Sequence, residues 1–596
     1  MKRLLVLLLT FTLVLSCLVA CQTPSGNETD NKNGTESGET EKKPSSSTRL
    51  PAQSTSGEGF EFELSEDKRS YIFVSKGTCA DEKIVVPATH NEIPVLQIAE
   101  GAFSACSGVI EITVSEGIKT VGKDAFAFSK DLKKVTIADS VSSLGERAFF
   151  SCAALESVTL GKGLSSISVS AFEACPALSE ITVPDNIKSI ASSAFYNCSA
   201  LKSITLGNGL NAIGHSAFAN TAFAADESNW ANGALYIGKY LISVKPEVSE
   251  ALTVKDGTEL IADQAAVRAK ISALVLPSSL KYIGNDAFVA CNGIKSVDIP
   301  EGVVSIGSGA FSSCDGLTEV SLPDTLTSIG SYAFYHCSAL SGITIPEGIT
   351  AISDQAFNEC ASLKTVNLPS KLTTIGTYSF ANCTSLVTIT FPESLKVIGE
   401  SSFYKCYNLV SINIPKNVNT IKSWAFQHCN KLLDVKNESS LTITVGDKGN
   451  GYVGYYAKET HNGESKLTYQ DGFIFYTFDS VSYLIGYNGG ETNITLPESF
   501  GGSEYTVYKY AFHYNSSLEK VSITAGAKSI QNNAFDSCSS LSEFTLGKSV
   551  TTIAKNAFLN CSSLSKVVFL GTEAEFNTIS VKTPNDAFIN AQKVFN

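Results

Sequence analysis

The sequence predicts a repeat solenoid, a single stack of short parallel strands rather than several globular domains. Three observations carry this. An Ala-Phe or Ser-Phe pair recurs with its phenylalanine at 103, 126, 149, 172, 195 and 218, then at 288, 311, 334, 357, 380, 403 and 426, then at 512, 535 and 558. Every step within a block is 23 residues, and a fixed period of about 20–50 residues is the mark of a stacked repeat. Copies also hold a short alternating apolar segment that in most of them ends on proline, as in Val320-Ser321-Leu322-Pro323. With Ala265-Ala266 as a copy that lacks its phenylalanine, about seventeen copies are present.

One copy shows the design. In Val320-Ser321-Leu322 the side chains alternate in, out, in, which predicts a strand with one buried face. The proline has no N–H and cannot continue the ladder. Ten of the 17 prolines stand at such strand exits, among them Pro87, Pro184, Pro323 and Pro497. Beyond it, Leu326, Ile329 and Phe334 point back inward along an irregular or briefly helical arc, and Gly330 relieves the turn. No copy hides its apolar side alone, so neighbours must cover it. At ~4.8 Å per strand the stack is roughly 80 Å long.

The remaining segments depart from the period. Residues 59–102 read as an N-terminal β cap, with a hairpin of Phe60-Phe62-Leu64 against Tyr71 to Val74 and a first strand Ile84-Val85-Val86. Repeat blocks are expected at 103–221, 263–434 and 511–570. Between them lie β insertions at 222–262 and 435–510, and residues 571–596 read as a C-terminal cap. The insertions are either plain connectors or a binding edge, since insertions in solenoids cluster on one face.

The N-terminus carries an address. Lys2 and Arg3 precede an apolar run from Leu4 to Val19, and Leu18-Val19-Ala20-Cys21 follows. A charged end, an apolar middle and small residues near the cut make an export signal. The Cys directly after Leu-Val-Ala resembles the lipobox of bacterial lipoproteins. That resemblance implies cleavage after residue 20 and a diacylglycerol on Cys21, giving a membrane anchor. An uncleaved span or an ordinary signal with a chance cysteine are the alternatives, and the run is short for a span. Residues 21–58 then form a Ser/Thr/Gly-rich tether with almost no apolar residue, expected to be disordered.

Composition narrows the function classes. The chain has 596 residues, 45 Lys+Arg and 58 Asp+Glu, a net charge of -13. An acidic balance argues against nucleic acid as a partner. Thirteen of the 16 cysteines sit three residues after a repeat phenylalanine, from Cys106 to Cys561. Ser129, Thr221 and Asn515 fill that slot elsewhere. No C-x-x-C cluster suggests a metal, and stacked cysteines with parallel Cβ vectors make poor disulfides. A column of buried thiols donating weakly to neighbouring carbonyls is expected, although export to an oxidising compartment leaves disulfides open. The six histidines are scattered and expected at the surface. No hydrolase, phosphate-loop or paired-carboxylate pattern is present, so no enzyme, cofactor or metal is expected.

The outward position of each strand forms a row: Thr113, Thr136, Thr159, Thr182, Thr205, Asp298, Ser321, Thr344, Asn367, Thr390 and Asn413, continued by Ser522 and Thr545. Strand propensity alone accounts for threonine on an exposed face. The same row would also serve as a broad protein- or glycan-binding face. By residue type, Tyr452, Tyr455, Tyr456 and Tyr508 near the second insertion are further binding candidates.

The recurring A-F-x-x-C-x-x-L-x-x-[IV]-x-[IL]-P-x-x-[LV]-x-x-I-G pattern resembles the BspA-like family of bacterial leucine-rich repeat surface proteins. The resemblance implies a right-handed leucine-rich repeat solenoid and a non-enzymatic surface protein that adheres to host, matrix or neighbouring-cell proteins. A glycan-binding or purely structural surface scaffold is the alternative. A monomer on the outside of the cell, anchored to its membrane through Cys21, is expected.

Overall fold

The computed structural model describes residues 59–596. The signal, Cys21 and the tether lie outside the described residues.

The 23-residue turns contribute two short parallel strands each, except that the first strand after Phe380 is reduced to a single bridge, Thr388 to Ser411. The first is the predicted one: Lys134–Ile137 pairs in register with Glu111–Val114, so that Ile112 faces Val135 and Thr113 faces Thr136. The second lies where an irregular or helical arc was expected. Ser328–Ile329 pairs with Ser305–Ile306, and two-residue strands recur at this place from turn to turn. No helix lies in the 23-residue turns among the described residues. The reason is stacking: backbone on either side of Ile329 donates to the preceding turn, Thr327 N to Val304 O at 3.0 Å and Gly330 N to Ile306 O at 2.9 Å. Leu326, Ile329 and Phe334 are all buried, as expected. Gly330 answers a close approach rather than a turn. A Cβ there would lie 2.4 Å from the backbone nitrogen of Ser308 in the preceding turn. Ser353 occupies the same slot and turns its hydroxyl onto the carbonyl of Ile329 at 2.5 Å.

The third side of each turn is held by backbone in an uncommon conformation. Residues two before and two after each repeat phenylalanine have positive φ, for example Tyr332 (60°) and His336 (54°). Left-handed backbone costs a non-glycine residue about 1–2 kcal/mol. Here it aims three alternate N–H groups at the next turn. Tyr332, Phe334 and His336 donate to Asp354, Ala356 and Asn358 at 3.1, 2.9 and 2.8 Å. These bonds offset the local strain, and the geometry sends the phenylalanine inward. The rings stack face to face through the core, Phe149 on Phe172 at 5.0 Å and 3°. Stacked aromatic pairs add about 0.5–1.5 kcal/mol beyond their buried area.

The cysteines form a second column beside the rings. All fourteen described cysteines are free and buried. Cys314, Cys337 and Cys360 donate from Sγ to the carbonyls of Phe288, Phe311 and Phe334, one turn back, at 3.1, 3.1 and 3.2 Å. Ser129 does the same to Phe103 at 2.6 Å. Thr221 departs from the pattern and bonds the carbonyl of Phe218 in its own turn at 2.9 Å.

The stack is closed at both ends and restarted twice. At the N-terminus, Glu61–Leu64 and Tyr71–Ser75 form an antiparallel hairpin, and Phe73 lies on Phe103 at 4.9 Å. At the C-terminus, Phe588 covers Phe558 at 4.8 Å and the last strand, Gln592–Phe595, pairs with Lys566–Phe569. Thr572 and Glu575 cap the short helix Glu573–Phe576 reciprocally. Two internal hairpins each begin a new run of second strands, Ala234–Ile237 with Tyr240–Val244, and Phe473–Phe478 with Val481–Tyr487. At the first junction the Tyr240 hydroxyl donates to Gly207 O at 2.5 Å, and Asp263 N donates to Ile213 O at 2.8 Å. At the second, Ile474, Tyr476, Ile485 and Tyr508 pack with Val410 and Leu433 in a small separate core.

Candidate functional site

The outward row is built as the strand alternation requires. Each residue points away from the core because its two neighbours point in. Thr113, Thr136 and Thr159 stand in register on adjacent strands, as do Thr182 with Thr205, Asp298 with Ser321 and Thr344 with Asn367. Thr159, Thr182, Thr205, Asp298, Ser321, Thr344, Asn367 and Thr390 are exposed, while Thr113, Thr136 and Asn413 are half-buried. The Asn367 side-chain amide donates to Thr344 Oγ1 at 3.0 Å.

Members of the row that sequence reasoning missed fill its gaps. Val85 opposes Thr113, Thr253 opposes Val275, Thr495 opposes Ser522, and Lys436 stands between Asn413 and His461. The alternation Leu274-Val275-Leu276-Pro277 was the available signal for one of them. Two positions before the row, on the same outward face, charges alternate across the first turns. Lys83, Glu111 and Lys134 pair at 3.3 and 3.1 Å, and both lysines hold the Glu111 carboxyl below its usual range.

A second edge was not anticipated. Several large side chains at the left-handed positions are exposed, namely Phe128, Tyr332, Trp424 and Tyr514, while Tyr378 and Tyr510 are half-buried. Of the tyrosines expected near the second insertion, Tyr455 is exposed and Tyr452 and Tyr456 are half-buried. Tyr508 is buried against Tyr483 and Val410, which removes it as a binding residue.

The histidines do not form a site. His336 bridges Asp315 at 2.8 Å and Glu359 at 3.7 Å across three turns. His461 and Ser465 both bond the buried Asp434, at 2.8 and 2.5 Å. His513, expected at the surface, is buried among Tyr407, Tyr510 and Tyr514 and faces Asp536 at 3.4 Å. Its burial comes from the docking of residues 505–514 onto the middle block, a non-local contact. Among the described residues no group of three or more His, Cys, Asp or Glu converges to hold a metal ion. Burial pushes the thiols of Cys152, Cys291, Cys360 and Cys561 up to about 12, far from the nucleophilic range. Among the described residues no helix is long and apolar enough to cross a membrane.

Fold and surface together define a stacked-repeat scaffold with broad polar faces. Residues 96–225, 259–385, 350–447 and 489–590 match the BspA type leucine rich repeat region, and the chain belongs to that family. No curated protein matches the chain. Among solved structures, the chain is similar to a leucine-rich repeat protein of Bacteroides ovatus, at 26% identity and a TM-score of 0.31 over 68% of this chain and 97% of that one. A leucine rich cell surface protein of Faecalibacterium prausnitzii matches at 19% and 0.25, over 90% and 99% of the two chains. A leucine-rich repeat protein of Eubacterium ventriosum matches at 19% and 0.29, over 66% and 97%.

Proposed function

We propose that this chain is a non-enzymatic lipoprotein, held at the outside of the cell through Cys21, whose solenoid binds extracellular proteins of a host, its matrix or neighbouring cells. The observation that supports this best is the in-register outward row. Strands about 4.8 Å apart present short hydroxyl and amide side chains turn after turn. Short side chains lose little rotamer freedom on binding, so a partner spanning many turns meets a low ordering cost. Family membership supports a binding scaffold of the same kind. The tether after Cys21 would lift this face clear of the lipid, by roughly 35 Å for a flexible chain of its length. The acidic balance disfavours nucleic acid as a partner.

The test is binding of the full chain to a panel of immobilised extracellular matrix proteins. Thr159→Lys combined with Thr182→Lys places two long charges in the row. At least one matrix protein should bind, and the double variant should weaken it about tenfold or more. No binding across the panel, or binding indifferent to the two lysines, would count against the row as the contact face.

A further inference from the structure

The two junctions leave hollows of different chemistry. The first, about 340 Å³, is lined by Phe218, Trp230, Leu235 and Ile242, with Asp263 at its side. That carboxylate is already used: Asn285 donates to it from its backbone at 2.7 Å and from its amide at 3.2 Å. Asn285 passes the same contact on to Ser308 N at 2.8 Å, so it belongs to the stacking of turns.

The second hollow is different. It is about 510 Å³ and lies between the middle block and the first turn of the last block. One wall comes from successive turns of the middle block, where Ser362, Ser385 and Asn408 occupy one slot 23 residues apart and Thr365 and Thr388 another. The facing wall carries Asn488, Asn515 and Ser516. Asn408 is spent within the chain: its amide donates to Thr384 O at 2.7 Å and its oxygen accepts from Lys431 at 2.6 Å. The side chains of Ser362, Ser385, Thr388, Asn488 and Ser516 make no hydrogen bond to any described residue. Lys364 is the one charged residue of the lining.

Two tyrosines complete the hollow. Tyr469 and Tyr514 are 52% and 53% exposed, and Tyr514 is held by stacking on Tyr407 at 5.1 Å. The walls are fixed to each other from beneath. Lys431 is buried, and its ammonium donates both to Asn408 Oδ1 on one wall and to the carbonyl of Ala511 on the other. Burying a lysine is expensive, and burial here pushes it down to about 7. The hollow is therefore preformed rather than assembled by a ligand.

Its chemistry selects a ligand class. The uncommitted hydroxyls of Ser362 and Ser385, about one 4.8 Å turn apart, face the free amide of Asn488 and offer neutral donors and acceptors at an interval comparable to one pyranose ring. Tyrosine rings supply flat apolar faces for the C–H side of a sugar. A charged glycan would find one lysine and no arginine fork. A peptide would find no deep apolar pocket for an anchor side chain.

We propose that this cleft binds a neutral oligosaccharide, with Tyr469 and Tyr514 as stacking platforms and Ser362, Ser385, Asn488 and Ser516 as hydrogen-bonding groups. The test applies the full chain to an array of neutral, sialylated and sulfated glycans, followed by calorimetric titration with the best neutral binder. Tyr469→Ala and Asn488→Ala, both at exposed side chains, should each weaken that glycan about tenfold or more with unchanged thermal unfolding. Tyr332→Ala, on an exposed tyrosine of another edge, should leave it unchanged. No neutral glycan bound, acidic glycans alone bound, or a titration that either cleft variant leaves unaltered would overturn the proposal. Because the row variants Thr159→Lys and Thr182→Lys lie elsewhere, loss of matrix binding and loss of glycan binding are read separately.

Discussion

Cys337 Sγ donates to the carbonyl oxygen of Phe311, one turn back, at 3.1 Å. The same carbonyl accepts the backbone N–H of Cys314 at 3.3 Å, so each phenylalanine carbonyl is shared between its own turn and the next. The thiol thus ties neighbouring turns while filling core volume. Cys337→Ser keeps a donor and should lower stability by about 1 kcal/mol or less, as Ser129 in the same slot indicates. Cys337→Val removes the donor and adds a branched side chain, and should lower stability by about 1–3 kcal/mol. Urea unfolding of the two variants gives the order directly.

The same burial makes stability fall steeply in alkali. Cys152, Cys291, Cys360 and Cys561 are raised in the fold to about 12, whereas an unfolded thiol ionises near 8.5. Above that value the unfolded chain releases protons that the fold retains. The stabilisation is therefore whole below about pH 8.5 and is lost as pH rises toward 12. Each such thiol contributes about 1.4 kcal/mol per pH unit in that window. Tyr240, also raised to about 12, acts in the same direction from a higher starting point. Lys431, lowered to about 7, acts oppositely between about 7 and 10.4, but it is a single group. Unfolding midpoints measured from pH 8 to 10.5 should drop, and the drop should shrink when several slot cysteines are changed to serine.

The ring column predicts a larger effect. Phe334 is fully buried and stacks on Phe311 at 5.6 Å and Phe357 at 5.5 Å. Phe334→Ala should cost about 3–5 kcal/mol. Nearest-neighbour coupling in a solenoid should confine the damage to the adjoining turns. Hydrogen exchange should accelerate around residues 305–360 and remain slow in residues 103–200.

Much of this was legible in the chain because the period is local. Strand, proline exit and cysteine slot each follow from residues a few positions apart, repeated until chance is excluded. The second strand was not legible, since two residues such as Ser328-Ile329 give too short a pattern to tell strand from arc. Nor was the left-handed pair around each phenylalanine. Its positions hold Arg147, Tyr332, Trp424 and His336 as readily as Asn or Gly, because hydrogen bonds to the next turn override local preference. Tyr508 and His513 were misread for a third reason. Their cover comes from Val410, Leu433 and Tyr407, far away in sequence. The outward row followed from alternation, but the cleft at the second junction belongs to tertiary docking and left no mark in the period.

Anchoring has its own test. Cys21→Ala should move the chain from the membrane fraction to the medium or the soluble extract of cells expressing it. A variant that still sediments with membranes would show that the lipobox resemblance misleads.

That the cysteines are architecture rather than chemistry is tested most directly by counting thiols in the mature chain, unfolded in denaturant without reductant. Alkylation followed by mass measurement should find all fourteen cysteines of residues 59–596 modified in denaturant and almost none in the native protein. A count of half that number or fewer would mean that the column is oxidised into disulfides, and would contradict the buried thiol ladder on which the stacking of turns depends.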